Sequence, residues 1–298
     1  MNVLKTQKIR VAVLGPLGTY THEAAHKVFG DGVEYEERQT ISDTFQAIQD
    51  TVSIAVVPQE NTIFGNVIET YDALRQTGCG FVKGEITLQV QHCLLVQQGV
   101  QLHEIEKILS HEQALGQCQD FLNTHLPNAT RIRTPSTASA ARSLLTSPRN
   151  CAAICSKICA TLFDGLEVLC TGVQKEANNF TRFYIIVRDR EVQLPIGPHR
   201  AKSKGLLRLW VPPAPASGTR QKDIVQYLSP SGLSIMRIDR RPSDGGPPFQ
   251  SVYFVETTDI VGGGSEEPPT SDSWTTLLEE AVSLIRKMGG EVDLIGVW

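Results

Sequence analysis

Apolar residues stand on successive positions in IRVAVLG and SIAVVPQ, the pattern of strands covered on both faces. Between and after them, the stretch from about Thr21, SDTFQAIQD and NVIETYDALR carry helical patterns. A second series follows. GEITLQVQHCLLVQ is strand-like, KILSHEQALGQCQDFL reads as strand into helix, TPSTASAARSLL as a capped helix, and CAAICSKICATLF as helical too. After GLEVLC, the β-branched and aromatic run NNFTRFYIIV sends the chain back into a sheet. Strands alternating with helices are the signature of an α/β fold. The order predicts two α/β lobes with a cleft between them, and loops at strand ends are where such sheets bind ligands.

The pattern breaks at REVQLPIGPHRAKSKG, a polar, proline-bearing stretch without periodicity that reads as a linker. Beyond it, GLLRLWV, QKDIVQYL, GLSIMRIDRR, QSVYFVETT, WTTLLEEAVSLIRKMG and EVDLIGVW read β, α, β, β, α, β. That is the split βαβ order of a ferredoxin-like module. IVGGGSEEPPTSDS, dense in Gly, Pro and Ser, reads as a mobile insertion before the last helix.

Composition narrows the function classes. A length of 298 residues suggests two domains at roughly 150 residues each. Twenty-eight basic against thirty-two acidic residues give a net charge of -4, so no field draws the chain to nucleic acid or to anionic lipid. With 41% hydrophobic and 20% charged residues, there is enough apolar surface to fold. MNVLKTQKIRVAVLG interrupts its apolar residues with Lys and Arg, so no export signal is expected there. No segment approaches a membrane span, and the expected location is the cytoplasm. Seven cysteines then read as reduced core thiols.

Two motifs tempt and are set aside. His22, Glu23 and His26 match HExxH, which on a helix would put two imidazoles on one face with Glu23 as a base. A third zinc ligand is missing and the match starts a helix after a ligand-type turn, so a solvated helix face is the better reading. Cys151, Cys155 and Cys159 fall at i, i+4 and i+8, a helical stripe of thiols that reads as core packing.

The informative pieces are hydroxyl and amide clusters at strand ends. The turn Gly15 to Thr21 has glycines that let backbone approach a ligand, and Thr19 or Thr21 can cap the following helix. Ser110 with Gln113 has capping-box spacing, and Thr134, Ser136 and Thr137 precede another helix. Several helix starts around one cleft make a site for carboxylates without a large positive charge. Glu60, Asn61 and Thr62 follow a buried strand. In FTRFYIIV, Thr181 shares a strand face with Phe183 and Ile185 while Arg182 points the other way with Tyr184. A cation at the edge of so apolar a strand is costly unless it meets an anion or water, which makes Arg182 a candidate anion anchor.

Taken together, these segments resemble the prephenate dehydratase family over nearly the whole chain. GPLGTYTHEAA is similar to its GPxGSYSH turn, VVPQENTIFGNVIETYDAL to VPxENTxxGxxxxxYDLL, SHEQALGQC to SHPQxxxQC, TPSTASAA to ESTSAA, and NNFTRF to NxTRF. The order and spacing are kept. The resemblance implies an α/β fold with a two-lobed, periplasmic-binding-protein-like catalytic domain over residues 1–190. Its lobes would be roughly 1–85 with 168–190, and 86–167. A linker at 191–204 and a ferredoxin-like (βαββαβ) ACT regulatory domain at 205–298 would follow.

The implied reaction is the decarboxylating dehydration of prephenate to phenylpyruvate, without metal or organic cofactor. By position, Thr181 would be the catalytic hydroxyl, helped by Asn61, Ser110 and Gln117, with Glu60 as the alternative acid. Thr19, Thr21, Thr62, Ser136, Thr137, Phe180 and Arg182 would contact substrate. Gln59, Glu112 and Ala138 depart from the family pattern. Asp239, Arg240, Arg241 and Pro242 resemble the ESRP effector motif, so Asp239, Arg241 and Pro242 would bind L-phenylalanine, although the companion GALV motif has no counterpart in SGTRQKDIV. The expected partners are prephenate, L-phenylalanine and a second copy of the chain, as a homodimer or a dimer of dimers. Arogenate, with an amino group in place of the keto oxygen, would suit much the same cleft, and a non-catalytic sensor of aromatic acids is the other class.

Overall fold

The computed structural model describes residues 8–195, 204–212, 222–244, 248–259 and 271–298. Most of the expected insertion, most of the linker, and SGTRQ of the segment standing in place of GALV lie outside the described residues. Two compact units are present, Met1–Thr70 with Ile86–Tyr184, and Tyr71–Glu85 with Ile185–Trp298. The expected division near residue 190 therefore misses residues 71–85, which group with the C-terminal part of the chain.

The first unit begins β1 (Arg10–Leu14), α1 (Tyr20–Phe29), β2 (Glu34–Arg38), α2 (Ile41–Asp50), β3 (Ile54–Asn61), β4 (Gly65–Asn66) and α3 (Ile68–Leu74), the last running on into the second unit. β5 (Phe81–Gln89) enters from the second unit. There follow β6 (Cys93–Gln97), β7 (Lys107–Ser110), α4 (Glu112–Gln117), α5 (Gln119–His125), β8 (Thr130–Arg133), α6 (Thr137–Leu144), β9 (Cys151–Cys155), α7 (Ile158–Leu162), β10 (Leu166–Thr171) and β11 (Phe180–Val187).

Two sheets build its two lobes. One has the order β5-β11-β3-β1-β2, with β1 parallel to both β2 and β3. The other has the order β10-β6-β9-β7-β8, with β7 parallel to β8 and β9, and β6 antiparallel to β9 and β10. Because β10 pairs with β6, the return crossing between lobes lies at 172–179, later than the expected residue 168.

The buried runs behave as their pattern requires. Val11, Ala12 and Val13, and Ile54 to Val57, have almost no exposure, since helices cover the sheet on both sides. In the second lobe, alternation along each strand divides the core into two clusters. Leu94, Ile108, Ala152 and Ile154 face Leu115 and Leu122 on one side. Cys93, Leu95, Ala153 and Cys155 face Ala141, Leu144 and Cys159 on the other.

CAAIC is the central part of this sheet, not helix. An i, i+4 pair shares a face in a strand as well as in a helix, so the thiol spacing does not separate the two. Cys151 and Cys155 lie on β9, Cys159 on α7, and all three belong to the same apolar core. Burial pushes the Cys93 thiol up to about 11 and the Cys118 thiol up to about 12, which keeps them protonated at neutral pH.

The second unit adds β12 (Lys204–Trp210), α8 (Ile224–Leu228), β13 (Ser234–Pro242), β14 (Ser251–Thr258), α9 (Ser271–Lys287) and β15 (Glu291–Val297). Their sheet order is β13-β14-β12-β15, antiparallel throughout, with β5 beside β15. This is the ferredoxin-like arrangement expected. Its core gathers Leu207, Leu209, Val255, Ile285 and Val292 around Tyr227 and Leu228. No helix among the described residues is long and apolar enough to cross a membrane.

Candidate active site

A cavity of about 710 Å³ lies in the first unit, lined by the carboxyl end of β3, the start of β11, the starts of α1 and α6, and α4. Both lobes contribute to it. Of the residues expected in the site, Thr19, Thr21, Asn61, Gln117, Ser136, Thr137 and Thr181 line this space.

Asn61 organises one side. Its Nδ2 donates to Asn179 Oδ1 at 2.8 Å, to Thr181 Oγ1 at 2.9 Å and to Phe180 O at 3.1 Å. Its Oδ1 accepts from the backbone N–H groups of Ile63 and Phe64 at 2.9 and 3.1 Å. The turn after β3 therefore fixes which way the amide faces, leaving no ambiguity between its oxygen and nitrogen. Thr181 is nearly buried, and its oxygen is occupied as an acceptor. Its own proton enters no hydrogen bond with the described residues and is available to the cavity. Accepting one hydrogen bond also polarises a hydroxyl toward donating another.

Helix starts supply the second set of donors. Thr19 caps α1, its Oγ1 facing His22 N and donating to Leu14 O at 2.8 Å. Ser136 caps α6, accepting from Ser139 N at 3.0 Å. Thr21 is the second residue of α1 and Thr137 the first of α6, so two helix N-termini with their partial positive charge open onto the cavity.

Of the third set, Gln117 was expected in the site and Tyr20 and His92 were not. Tyr20, His92 and Gln117 form a chain in which the Tyr20 hydroxyl lies 2.5 Å from His92 Nδ1, and His92 Nε2 lies 2.6 Å from Gln117 Oε1. All three line the cavity, as do Glu69, His111, Gln113 and Asn179. Burial lowers the His92 pKa against the opposing Gln117 hydrogen bond, and raises that of Tyr20 well above its usual value. Both are neutral near pH 7. The available signal was a histidine inside an otherwise strand-like run, QVQHCLL, at the point where β5 gives way to β6.

Several expected contacts are placed elsewhere. Ser110 is fully buried at the end of β7 and donates to Ile154 O at 2.6 Å. Because β7 keeps it as its last residue, the following helix is capped instead by His111, whose Nδ1 accepts from Gln113 N at 3.3 Å. Arg182 turns away from the cavity, its Nε donating to Gln59 Oε1 at 3.0 Å and its terminal nitrogen pairing with Glu60 Oε2 at 2.8 Å. The anion that this cation meets is Glu60, so neither residue lines the cavity. Thr62 and Phe180 also stay off the lining and lace the two strand ends together, Thr62 N to Phe180 O and Phe180 N to Thr62 Oγ1, both at 2.9 Å.

The HExxH residues are engaged separately. His22 Nδ1 accepts from Gly18 N at 3.1 Å, the Glu23 carboxylate accepts from Ser156 Oγ at 2.6 Å, and His26 contacts Asp31 at 3.1 Å. Glu23 also departs from the expected solvated face, since its partner belongs to the other lobe. Among the described residues, no group of three or more His, Cys, Asp or Glu side chains is gathered for a metal ion.

The residues expected to bind an effector lie in the second unit. Asp239 accepts from the Tyr71 hydroxyl at 2.8 Å, Arg241 grips Asp72 through two nitrogens at 2.8 and 2.9 Å, and Pro242 O accepts from Arg75 at 2.5 Å. All three are thus tied to the segment that follows Thr70.

Comparison with known proteins gives a concordant picture. The family described as prephenate dehydratase matches residues 11–191. A bifunctional chorismate mutase/prephenate dehydratase of Pseudomonas aeruginosa is 33% identical over 279 residues, 93% of this chain and 72% of that protein. The prephenate dehydratase of Bacillus subtilis is 29% identical over 295 residues, covering 97% of this chain and 98% of its own. A crystal structure of prephenate dehydratase from Arthrobacter aurescens in complex with L-Phe superposes with a TM-score of 0.74 at 23% identity, covering 97% of this chain and 89% of the other.

Proposed function

The chain belongs to the prephenate dehydratase family, hydro-lyases that convert prephenate to phenylpyruvate, carbon dioxide and water, and from that premise we propose that the reaction runs in the cavity of the first unit with Thr181 as its proton donor. The carrying observation is the Asn61–Thr181 hydrogen bond, which leaves the threonine proton for a substrate.

In the reaction, the bond from the ring to its carboxylate breaks and its electron pair enters the ring. The C–O bond on the opposite ring carbon then breaks, and the oxygen leaves with one added proton as water. Aromatisation supplies the driving force, so the enzyme's task is to help a poor leaving group depart. General-acid assistance contributes about 10² to 10⁴ in rate. Thr181 donates to the departing oxygen and regains its proton from solvent once the products leave. A threonine hydroxyl is a weak acid, so the assistance depends on preorganised donors in a site shielded from water.

No arginine or lysine lines the cavity among the described residues. The carboxylates of the substrate are met by the N-termini of α1 and α6 and by neutral amides and hydroxyls. A modestly held ring carboxylate is suited to leaving as carbon dioxide, because strong pairing would stabilise the ground state more than the transition state. A second reading is favoured by Glu69, the carboxylate of the lining, which suits the ammonium group of arogenate.

Feedback by L-phenylalanine through the second unit, assembly through the exposed Ile235, Met236 and Ile238 of edge strand β13, and a cytoplasmic location complete the proposal. The test is turnover of prephenate and arogenate by the purified protein, with and without L-phenylalanine, alongside Thr181→Val. The variant is expected to lose at least about 10² in kcat while folding and binding substrate normally. Turnover close to wild type would remove Thr181 from the role.

A further inference from the structure

His92 occupies an unusual place in the fold. Residues 90–92 carry the chain from one lobe to the other, between β5 and β6, and residues 172–179 bring it back. The two crossings are stitched together around this histidine. His92 N donates to Gln174 Oε1 at 2.8 Å, Gln174 Nε2 donates to Val90 O at 3.0 Å, and Val173 N donates to His92 O at 3.0 Å. The imidazole therefore stands on backbone held from both sides, and the residue is only 3% exposed.

The hydrogen bonds fix the state of the ring. A glutamine Oε1 only accepts, so His92 Nε2 carries the hydrogen and donates to Gln117. Nδ1 of the neutral ring is then a lone pair, and the Tyr20 hydroxyl, 2.5 Å from it and 3.3 Å from Gln91 O, gives its one proton to the nearer acceptor. Tyr20 starts α1 in the first lobe, and Gln117 ends α4 in the second. With Gln117 Oε1 consumed by the imidazole, its Nε2 hydrogens are what the side chain can present to the cavity it lines.

Resting on the reading of the cavity as the dehydratase site, we propose that His92 is a positioning residue for the reaction, holding Gln117 by its oxygen so that the amide N–H groups face the substrate, with Tyr20 of the opposite lobe fixing the imidazole tautomer. His92 itself does not transfer a proton to substrate. It converts an amide that could present either end into a donor of fixed direction. A donor aimed before substrate arrives needs no reorganisation in the transition state.

The experiment compares His92→Leu, His92→Gln and His92→Asn with Gln117→Leu and the His92→Leu/Gln117→Leu double variant, using kcat and KM for prephenate and a melting curve for each. Glutamine places an N–H close to the position of Nε2, whereas asparagine is one bond too short. His92→Leu is expected to lose about 10- to 100-fold in kcat with KM changed by less than about threefold. His92→Gln is expected to recover most of that loss and His92→Asn little of it. The double variant should be no slower than Gln117→Leu alone, because the histidine acts through the glutamine.

Wild-type kcat in His92→Leu, equal loss in the Gln and Asn variants, or additive losses in the double variant would each overturn the proposal. If His92→Leu fails to fold, the Gln–Asn comparison still decides it. Thr181→Val run in parallel separates the two readings: an active Thr181→Val defeats the site assignment, whereas an inactive Thr181→Val beside a fully active His92→Leu defeats only the positioning role.

Discussion

The two sides of the cavity are built on different principles. Around Asn61, every partner belongs to strand ends of one sheet or the turns beside them, and every group is an amide, a hydroxyl or backbone. Around the turn before α1, the contacts cross between lobes: Cys159 Sγ donates to Gly18 O at 3.2 Å, Ser156 to Glu23, and Tyr20 joins His92 and Gln117. The first cluster holds no titratable group. The second depends on imidazoles kept neutral by burial and on close packing at a glycine. Catalysis asks for invariance where the proton is donated, and tolerates sensitivity where the lobes meet. The two clusters should fail differently when perturbed.

The largest expected effect comes from the first. Asn61→Ala removes the donor to Thr181 together with the acceptor for two backbone N–H groups, and should lower kcat by about 10² to 10³. Asn61→Asp sharpens the point. It keeps an oxygen for Ile63 N and Phe64 N but turns a second oxygen toward Thr181 Oγ1, Asn179 Oδ1 and Phe180 O. The threonine proton would then be drawn to the aspartate and lost to the substrate. Steady-state kinetics should find Asn61→Asp as slow as Asn61→Ala. An active Asn61→Asp would show that the direction of this hydrogen bond is immaterial.

This contrast also marks what could be read from the chain. Apolar strands and capped helices were legible because burial on both faces and cap chemistry leave local traces, as in Val11 to Val13 or Ser136. β2 and β8 were missed: EYEER and TRIR are edge strands with little buried side chain, so hydrophobic patterning had nothing to report. Asn61 and Thr181 stood out as polar residues at strand ends, but their roles came from the family motifs. Their bond spans 120 positions, a pairing that no local pattern encodes. The same holds for Tyr20 and His92, and for the pairing that takes Arg182 out of the site. Residues whose role is set by local backbone were readable, and those whose role is set by a long-range partner were not.

The second cluster offers a steric way to break it. Gly18 has φ +100°, and a Cβ there would lie 2.9 Å from Cys159 Sγ and 3.2 Å from Ala138 Cβ. Gly18→Ala combines a left-handed backbone with overpacking and should cost about 2 to 4 kcal/mol of stability, read as a lowered urea midpoint. Adding Cys159→Ala removes the nearest obstacle and should return part of the loss. If the double variant recovers nothing, the strain lies in the backbone and not in the contact between lobes.

Acid gives the smallest and most selective perturbation. Burial, with His26 adding to it, pushes the His22 imidazole down to about 4 from its ordinary 6.5, and its Nδ1 is the acceptor for Gly18 N. Protonation would convert that acceptor into a donor facing another donor. Between pH 6.5 and 4 the unfolded chain binds the proton and the folded chain does not, so this contribution is complete above pH 6.5 and is lost as pH falls. By pH 5.5 the loss from His22 alone is on the order of 1 kcal/mol. Glu23 works the other way, since burial raises its carboxyl pKa and acid relieves that penalty. The measurement is therefore a difference: urea midpoints at pH 7.5 and 5.5 for wild type and for His22→Asn, whose side-chain oxygen can accept from Gly18 without titrating. Wild type should lose roughly 1 kcal/mol more than the variant across that interval. An equal slope in the two proteins would place the acid sensitivity outside His22, and with it the idea that neutral imidazoles set the limits of the lobe junction while the Asn61 cluster is indifferent to pH.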